Sequence, residues 1–122
     1  MPADKPSDAE LCGRLYAALA ALQKLSAPGN NHSLGRPGAC AKAAEHPERQ
    51  LREHLNNVVK YFVEARKQGK AEIATELFGS IPGLLPSGNR LPGDLDHEKR
   101  EQFCKGRRAQ EESLQKAHPA LA

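Results

Sequence analysis

The chain is expected to be all-α: a three- or four-helix bundle with a long ordered Pro/Gly-rich loop before the last helix. Three observations predict this. Apolar residues recur at three- and four-residue steps in two long segments, the signature of a helix with one buried stripe. Capping and stop residues bracket those segments. A third stretch of more than twenty mostly charged residues runs without a breaker until Pro119. A length of 122 residues argues for one domain spanning 1–122, with a flexible start at 1–6 and a frayed end at 118–122.

The first helix opens at Pro6-Ser7-Asp8-Ala9-Glu10. Ser7 can accept a backbone N–H three residues on, and Glu10 stands where it can reach back, as in a capping box. Leu11, Leu15, Ala18, Leu22 and Leu25 follow, and Leu19 widens the stripe. Ser26 to Asn31, with Pro28 and Gly29, ends the helix. Asn30 to Gly38 reads as loop, and Ala39 to Glu45 as a helix-prone piece too short to stand without tertiary support. His46-Pro47 starts the second main helix, with Pro47 in the first turn, where its missing N–H costs nothing. Leu51, Leu55, Val58, Phe62 and Ala65 form its stripe, Val59 and Val63 flank it, and Gly69 stops it.

Ala71 to Phe78 predicts a short third helix with Ile73, Leu77 and Phe78 inward, closed by Gly79. Ser80 to Pro92 holds Pro82, Pro86 and Pro92 beside Gly83 and Gly88, punctuation that argues against helix or central strand. Ile81, Leu84, Leu85 and Leu91 make it too apolar for a free linker, so 80–93 is expected to be an ordered loop packed on the helices. Asp94 or Asp96 can cap the last helix, which runs to about Ala117. Its large apolar side chains are Leu95, Phe103 and Leu114 alone. A helix that polar bridges, projects into solvent or meets a partner, so it is expected to be a working surface rather than part of the core. The core itself is expected from Leu15, Leu19, Leu22, Leu55, Val58 and Phe62.

The formal charge of +3, from 18 Lys and Arg against 15 Asp and Glu, is too small to define a partner by itself. Cys12, Cys40 and Cys104 are odd in number, widely spaced and lack a CxxC pair, which predicts reduced thiols and a cytoplasmic protein without disulfides. The longest apolar stretch, Leu15 to Leu22, is too short to span a bilayer and lacks the features of a signal peptide, so no membrane role is expected.

No constellation identifies a reaction, a cofactor or a ligand, and the expected sets of catalytic residues, cofactors and metals are empty. Zinc sites are announced by local pairs such as CxxC or HxxxH. The nearest grouping, Cys40, His46 and His54, has six- and eight-residue steps with Pro47 between them, and the histidines are expected to be exposed or capping. Cys104 lies near Arg100, Arg107 and Arg108, which favours a thiolate, yet beside Phe103 it reads more simply as half-buried filling; Cys12 reads as core. Neither a GxxxxGK loop followed by Ser or Thr nor a strand-led GxGxxG is present.

His32-Ser33 and then Leu51-Arg52-Glu53-His54-Leu55-Asn56-Asn57-Val58 is similar to the opening of HD-type metal phosphohydrolases and nucleases, in which a first histidine ligand sits on such a helix. The resemblance covers about a quarter of the chain. That family is defined by an adjacent His-Asp pair on the next helix, and here that helix reads Ala71-Glu72-Ile73-Ala74-Thr75-Glu76-Leu77-Phe78. No His-Asp dipeptide occurs, so an HD-like or other metal-dependent hydrolase is disfavoured and no ligands are carried over.

A non-enzymatic helical interaction module is therefore the expected function: an adaptor, an inhibitor or a small subunit of a larger assembly. Its partner is expected to be a protein or a second copy of the chain. The alternative is a small nucleic-acid-binding protein, in which Lys99, Arg100, Lys105, Arg107, Arg108 and Lys116 meet phosphates, although Glu98, Glu101, Glu111 and Glu112 dilute their field. The candidate partner-binding residues are Leu84 and Leu85 in the Pro-rich loop and Arg100, Lys105, Arg107 and Arg108 on the last helix.

Overall fold

The structure is a computed structural model that describes residues 7–26, 34, 38–86 and 91–119. Among them the chain forms six helices and no strand: α1 Asp8–Ser26, α2 Ala39–Glu45, α3 Pro47–Asn56, α4 Val58–Lys67, α5 Ala71–Leu84 and α6 His97–Ala117. It is an all-α bundle. The expected flexible start at 1–6 lies outside the described residues, as do 27–33 and 35–37 of the first loop and 120–122.

The bundle is built around α1, which packs against α6, α4 and α5. Ser7 caps it as expected, accepting from the Glu10 backbone N–H at 3.1 Å, but the Glu10 carboxylate turns outward to Arg14 at 3.4 Å. Leu15, Leu19, Leu22 and Cys12 are fully buried, since four- and three-residue steps keep them on one face.

α6 overturns the expectation that it stands outside the core. Phe103 is fully buried, Leu95 nearly so, and the Phe103 ring meets Tyr16 edge-on at 5.9 Å. The two helices run in the same direction, with Ser7 Oγ donating to Gln102 Oε1 at 2.8 Å near one end and Lys24 close to Gln115 at the other. They touch backbone to backbone. A Cβ on Gly13 would lie 1.9 Å from the Phe103 carbonyl oxygen, and one on Gly106 2.1 Å from that of Glu10. Two glycines thus replace the large apolar side chains whose scarcity made α6 look solvent-borne. At the C-cap of α6 the His118 N–H donates to the Leu114 carbonyl and its ring N–H to Glu76 Oε2 at 2.6 Å.

The expected second helix is present as α3 and α4 joined through a kink at Asn57. The ladder continues across it, with Asn57 N–H donating to Glu53 and Tyr61 N–H to Asn57. The kink follows two asparagines and precedes two valines, all weak helix formers. Leu51 and Ala65 at the ends of the stripe are buried. Leu55, Val58 and Phe62 in the middle are only half-buried, against the expectation of full burial: they pack against the edge of the core cluster rather than inside it. There Phe62 stacks on Phe78 at 4.7 Å. α4 ends at Gly69, whose φ of 78° is left-handed. Lys70 and Gly69 N–H groups bond the Ala65 and Arg66 carbonyls, the pair of bonds that makes a Schellman cap.

The loop before α6 is shorter than its composition suggests. α5 continues through Gly79 and Pro82 to Leu84, burying Leu77 and Ile81. Pro82 is tolerated in that last turn, where only one ladder bond is forfeited and Ile81 gains core contact. The remaining loop is ordered at both described ends. Pro86 is buried, and backbone bonds run from Glu48 N–H to Pro92 and from Leu95 N–H to Glu45, pinning it to the α2–α3 junction. Residues 87–90 lie outside the described set.

Candidate interaction surfaces

The residues expected to bind a partner fall into three groups. Leu84 and Leu85 are half-buried against the core cluster, because α5 delivers them to its own domain; each keeps only part of its surface for a partner. Arg100 and Arg107 are tied into the fold. Arg100 Nε donates to the Leu95 carbonyl at 3.1 Å, and its guanidinium reaches Glu45 on α2 at 3.8 Å. Arg107 donates to Glu111 at 3.1 Å, lies 5.5 Å over the Tyr16 ring and hydrogen-bonds the Cys40 side chain. Of these four cations only Lys105 and Arg108 are exposed, and neither has an ion pair among the described residues. They border a shallow trough of about 640 Å³ along α6 that also takes in Glu98, Glu101 and Cys104.

The Tyr16–Cys40–Arg107 cluster is structural in its chemistry. Tyr16 donates its hydroxyl proton to the Leu34 carbonyl, and burial with the neighbouring Cys40 pushes its pKa up to about 12. Burial also raises the Cys40 thiol against the pull of Arg107, so this cysteine stays protonated near neutral pH and is a poor nucleophile. Cys12 is raised to about 12 by burial and by the Asp8 carboxylate. Beside this cluster, a cleft of about 170 Å³ opens between α1 and α6 where Ala17, Ala20 and Ala21 face Leu114.

The histidines are mostly the exposed or capping groups expected: His46 stands at the N-cap of α3 and His118 at the C-cap of α6, and His97 is exposed; His54 is the exception among the described ones. His54 is half-buried, and its Nδ1 lies 2.9 Å from the Tyr61 hydroxyl. That hydroxyl also accepts from Gln23 Nε2 at 3.2 Å, while Gln23 Oε1 accepts the Leu34 N–H at 2.9 Å. With its acceptor role used by Gln23, Tyr61 is free to donate to a neutral imidazole, and burial lowers the His54 pKa accordingly. This chain ties α1 to the α3–α4 unit. The sequence does carry a signal for it: Tyr61 follows His54 by seven residues on one face, and Gln23 interrupts the apolar stripe of α1. His46 donates Nδ1–H to Asp94 at 2.5 Å, bracing the loop, and His97 lies beside Glu101 on exposed α6. His32 lies outside the described residues. Among the described residues no three His, Cys, Asp or Glu side chains converge as a metal site.

One surface was not singled out by sequence. Val59 is 57% exposed and Val63 41%, the large hydrophobics that stand in solvent among the described residues. They lie four residues apart on α4, in an exposed row Arg52, Asn56, Val59, Val63, Arg66 that crosses the kink. Arg66 is held 5.7 Å over the Phe62 ring, which makes a cationic, aromatic edge to the valine pair. Sequence marks them only as two β-branched residues flanking the stripe.

No family model, no curated protein and no solved structure matches the chain. None of the described helices is long and apolar enough to cross a membrane.

Proposed function

We propose that the chain is a non-enzymatic helical interaction module that docks a protein partner on the outer face of α3 and α4. The supporting observation is the exposed Val59–Val63 pair. A single exposed valine needs no explanation, but two aligned on one helix face beside a half-exposed stacked Phe62 and Phe78 form a contiguous apolar strip, the usual mark of an interface. The thin, alanine-rich composition of α1 fits a small subunit that gains stability on association. A cytoplasmic location belongs to the same proposal and is supported by three unpaired thiols.

The test is photo-crosslinking in the native host from three positions in separate variants: Val63, Leu85 and Arg108. Protein adducts from Val63 are the expected result. Adducts from Leu85 or Arg108 alone would move the docking face, and an absence of adducts from all three would reject the module. Nucleic-acid binding through α6 is the second reading, supported by the unpaired Lys105 and Arg108. It requires binding to DNA or RNA that weakens steeply with salt and fails in Lys105→Glu with Arg108→Glu.

A further inference from the structure

We infer that the partner segment received by α3 and α4 is an acidic amphipathic helix, two apolar side chains flanked by carboxylates. This rests on the docking face just proposed and adds the chemistry of what sits there.

The argument begins with where the charge of the chain lies. From Arg52 to Lys70 there are five basic residues, Arg52, Lys60, Arg66, Lys67 and Lys70, against two acidic ones, Glu53 and Glu64. The difference, 5 − 2, equals the whole formal charge of +3, so the rest of the chain balances to zero in sum, 13 against 13. All five cations are exposed; Arg52 is engaged by Glu48 at 3.4 Å and Lys67 by Glu64 at 3.3 Å, which leaves Lys60, Arg66 and Lys70 without an ion pair among the described residues. α6 has six cations against four glutamates, and Arg100, Arg107 and Lys116 are each paired with a glutamate. On α5, which packs against α4, the exposed acids are Glu72 and Glu76, and Glu76 is taken up by His118. The valine pair therefore sits in a net positive stretch, with exposed Lys60 and Arg66 beside it.

Spacing then defines the complement. Val59 and Val63 are one turn apart, about 6 Å along the axis; Arg66 follows Val63 within a turn, and Arg52 precedes the pair on α3, across the break at Asn57. A helix laid on this row covers the valines with side chains at three- and four-residue steps and sets carboxylates at both ends, the helix-in-groove mode of recognition. A second copy of the chain does not fit. A two-fold contact brings the same patch against itself, which sets one positively charged row against another. A bilayer surface asks for a much broader apolar face than two valines, and phosphates gain nothing from valine at the centre.

The experiment uses the full chain and a fluorescein-labelled helical peptide with a leucine pair at i and i+4 between glutamates. Saturable binding by anisotropy is expected, weakening at least tenfold between about 0.05 and about 0.5 M salt as the charges are screened. Val59→Ser with Val63→Ser should weaken it about tenfold without moving the melting temperature. Lys60→Glu with Arg66→Glu should exchange the preference, so that the same peptide with lysines for glutamates binds instead. The inference is overturned if the lysine peptide binds the unmodified chain equally well, or if a glutamate peptide lacking the leucines does. It is also overturned if phosphatidylserine vesicles bind in a valine-dependent way and the peptide does not, or if the valines instead govern a concentration-dependent mass. A Val63 adduct in the host whose contacting segment is not acidic would overturn this inference and leave the docking face standing. Loss of all adducts would remove both.

Discussion

Gly13 and Gly106 are where α1 and α6 meet most closely, and replacing either with alanine tests whether that crossing holds the bundle together. A methyl on Gly13 would fall 1.9 Å from the Phe103 carbonyl oxygen, whereas close C–H···O contacts sit near 3.3 Å. The helices must part by roughly 1.4 Å, and a gap of even 0.5–1 Å forfeits about a quarter to a half of each dispersion contact it opens. Tyr16 and Phe103 lie within that zone. Overpacking of this kind costs about 3 kcal/mol at the upper end of its usual range, and alanine returns about 1 kcal/mol in helix propensity. A net loss of about 2 kcal/mol follows, or roughly 8 °C in melting temperature for a chain of this size. The same reasoning holds at Gly106. The double variant should lose less than the sum, because the first methyl has already opened the space the second needs. Gly79 is the control: it is helical, exposed, and a Cβ there meets nothing within 4 Å, so Gly79→Ala should stabilise by about 0.4–1 kcal/mol. Urea unfolding followed by the helical band of the circular dichroism spectrum reads all four variants. If Gly13→Ala and Gly106→Ala rise in stability alongside Gly79→Ala, the close crossing is refuted.

Leu51→Ala should destabilise by about 2–5 kcal/mol through lost burial and a residual cavity, and half-buried Leu55→Ala by roughly half as much, with equal losses in urea melts counting against the kink at Asn57. Because the His54 pKa is lowered in the fold, its neutral form is the folded one: the stability it contributes is complete above its ordinary value near 6.5 and is lost as pH falls through the lower folded value. The acid limb of a stability–pH curve should therefore flatten in His54→Gln, and an unchanged limb would place the proton elsewhere. Cys12, fully buried and raised to about 12, should resist alkylation at neutral pH until the bundle opens, so its labelling rate should track unfolding across a denaturant series; prompt labelling in native buffer would contradict its burial.

What could be read from the sequence was local. Ser7 as a cap, Pro47 at a first turn, Gly69 as a stop and the leucines of α1 each depend on neighbours within a turn or two, and each is where its chemistry put it. The misreadings arose where a distant element decided. Pro82 looked like a helix breaker, but Ile81 one residue before it reaches the core from a helical turn. Leu55, Val58 and Phe62 had the right spacing, yet they pack against the edge of the core cluster rather than inside it. α6 was judged by its large apolar side chains, although Gly106 inside a charged helix was a signal of close packing. The proposed site was the least legible part. Val59 and Val63 are ordinary strip-flanking residues in one dimension, and only the packed neighbours show that they stand exposed among the described residues.

The parallel pairing of the first and last helices has a consequence for synthesis. α1 is complete at Ser26, and α6 begins at His97, about seventy residues later. At ~5–20 residues per second, a ribosome needs roughly 4–14 s to cover that distance. Throughout it, Leu15, Leu19 and Tyr16 await their principal cover, since α4 and α5 reach only part of the α1 surface. The nascent chain is thus exposed to aggregation or to holdase binding for an interval set by topology rather than by sequence hydrophobicity, and slowing translation after Lys70 should lengthen it.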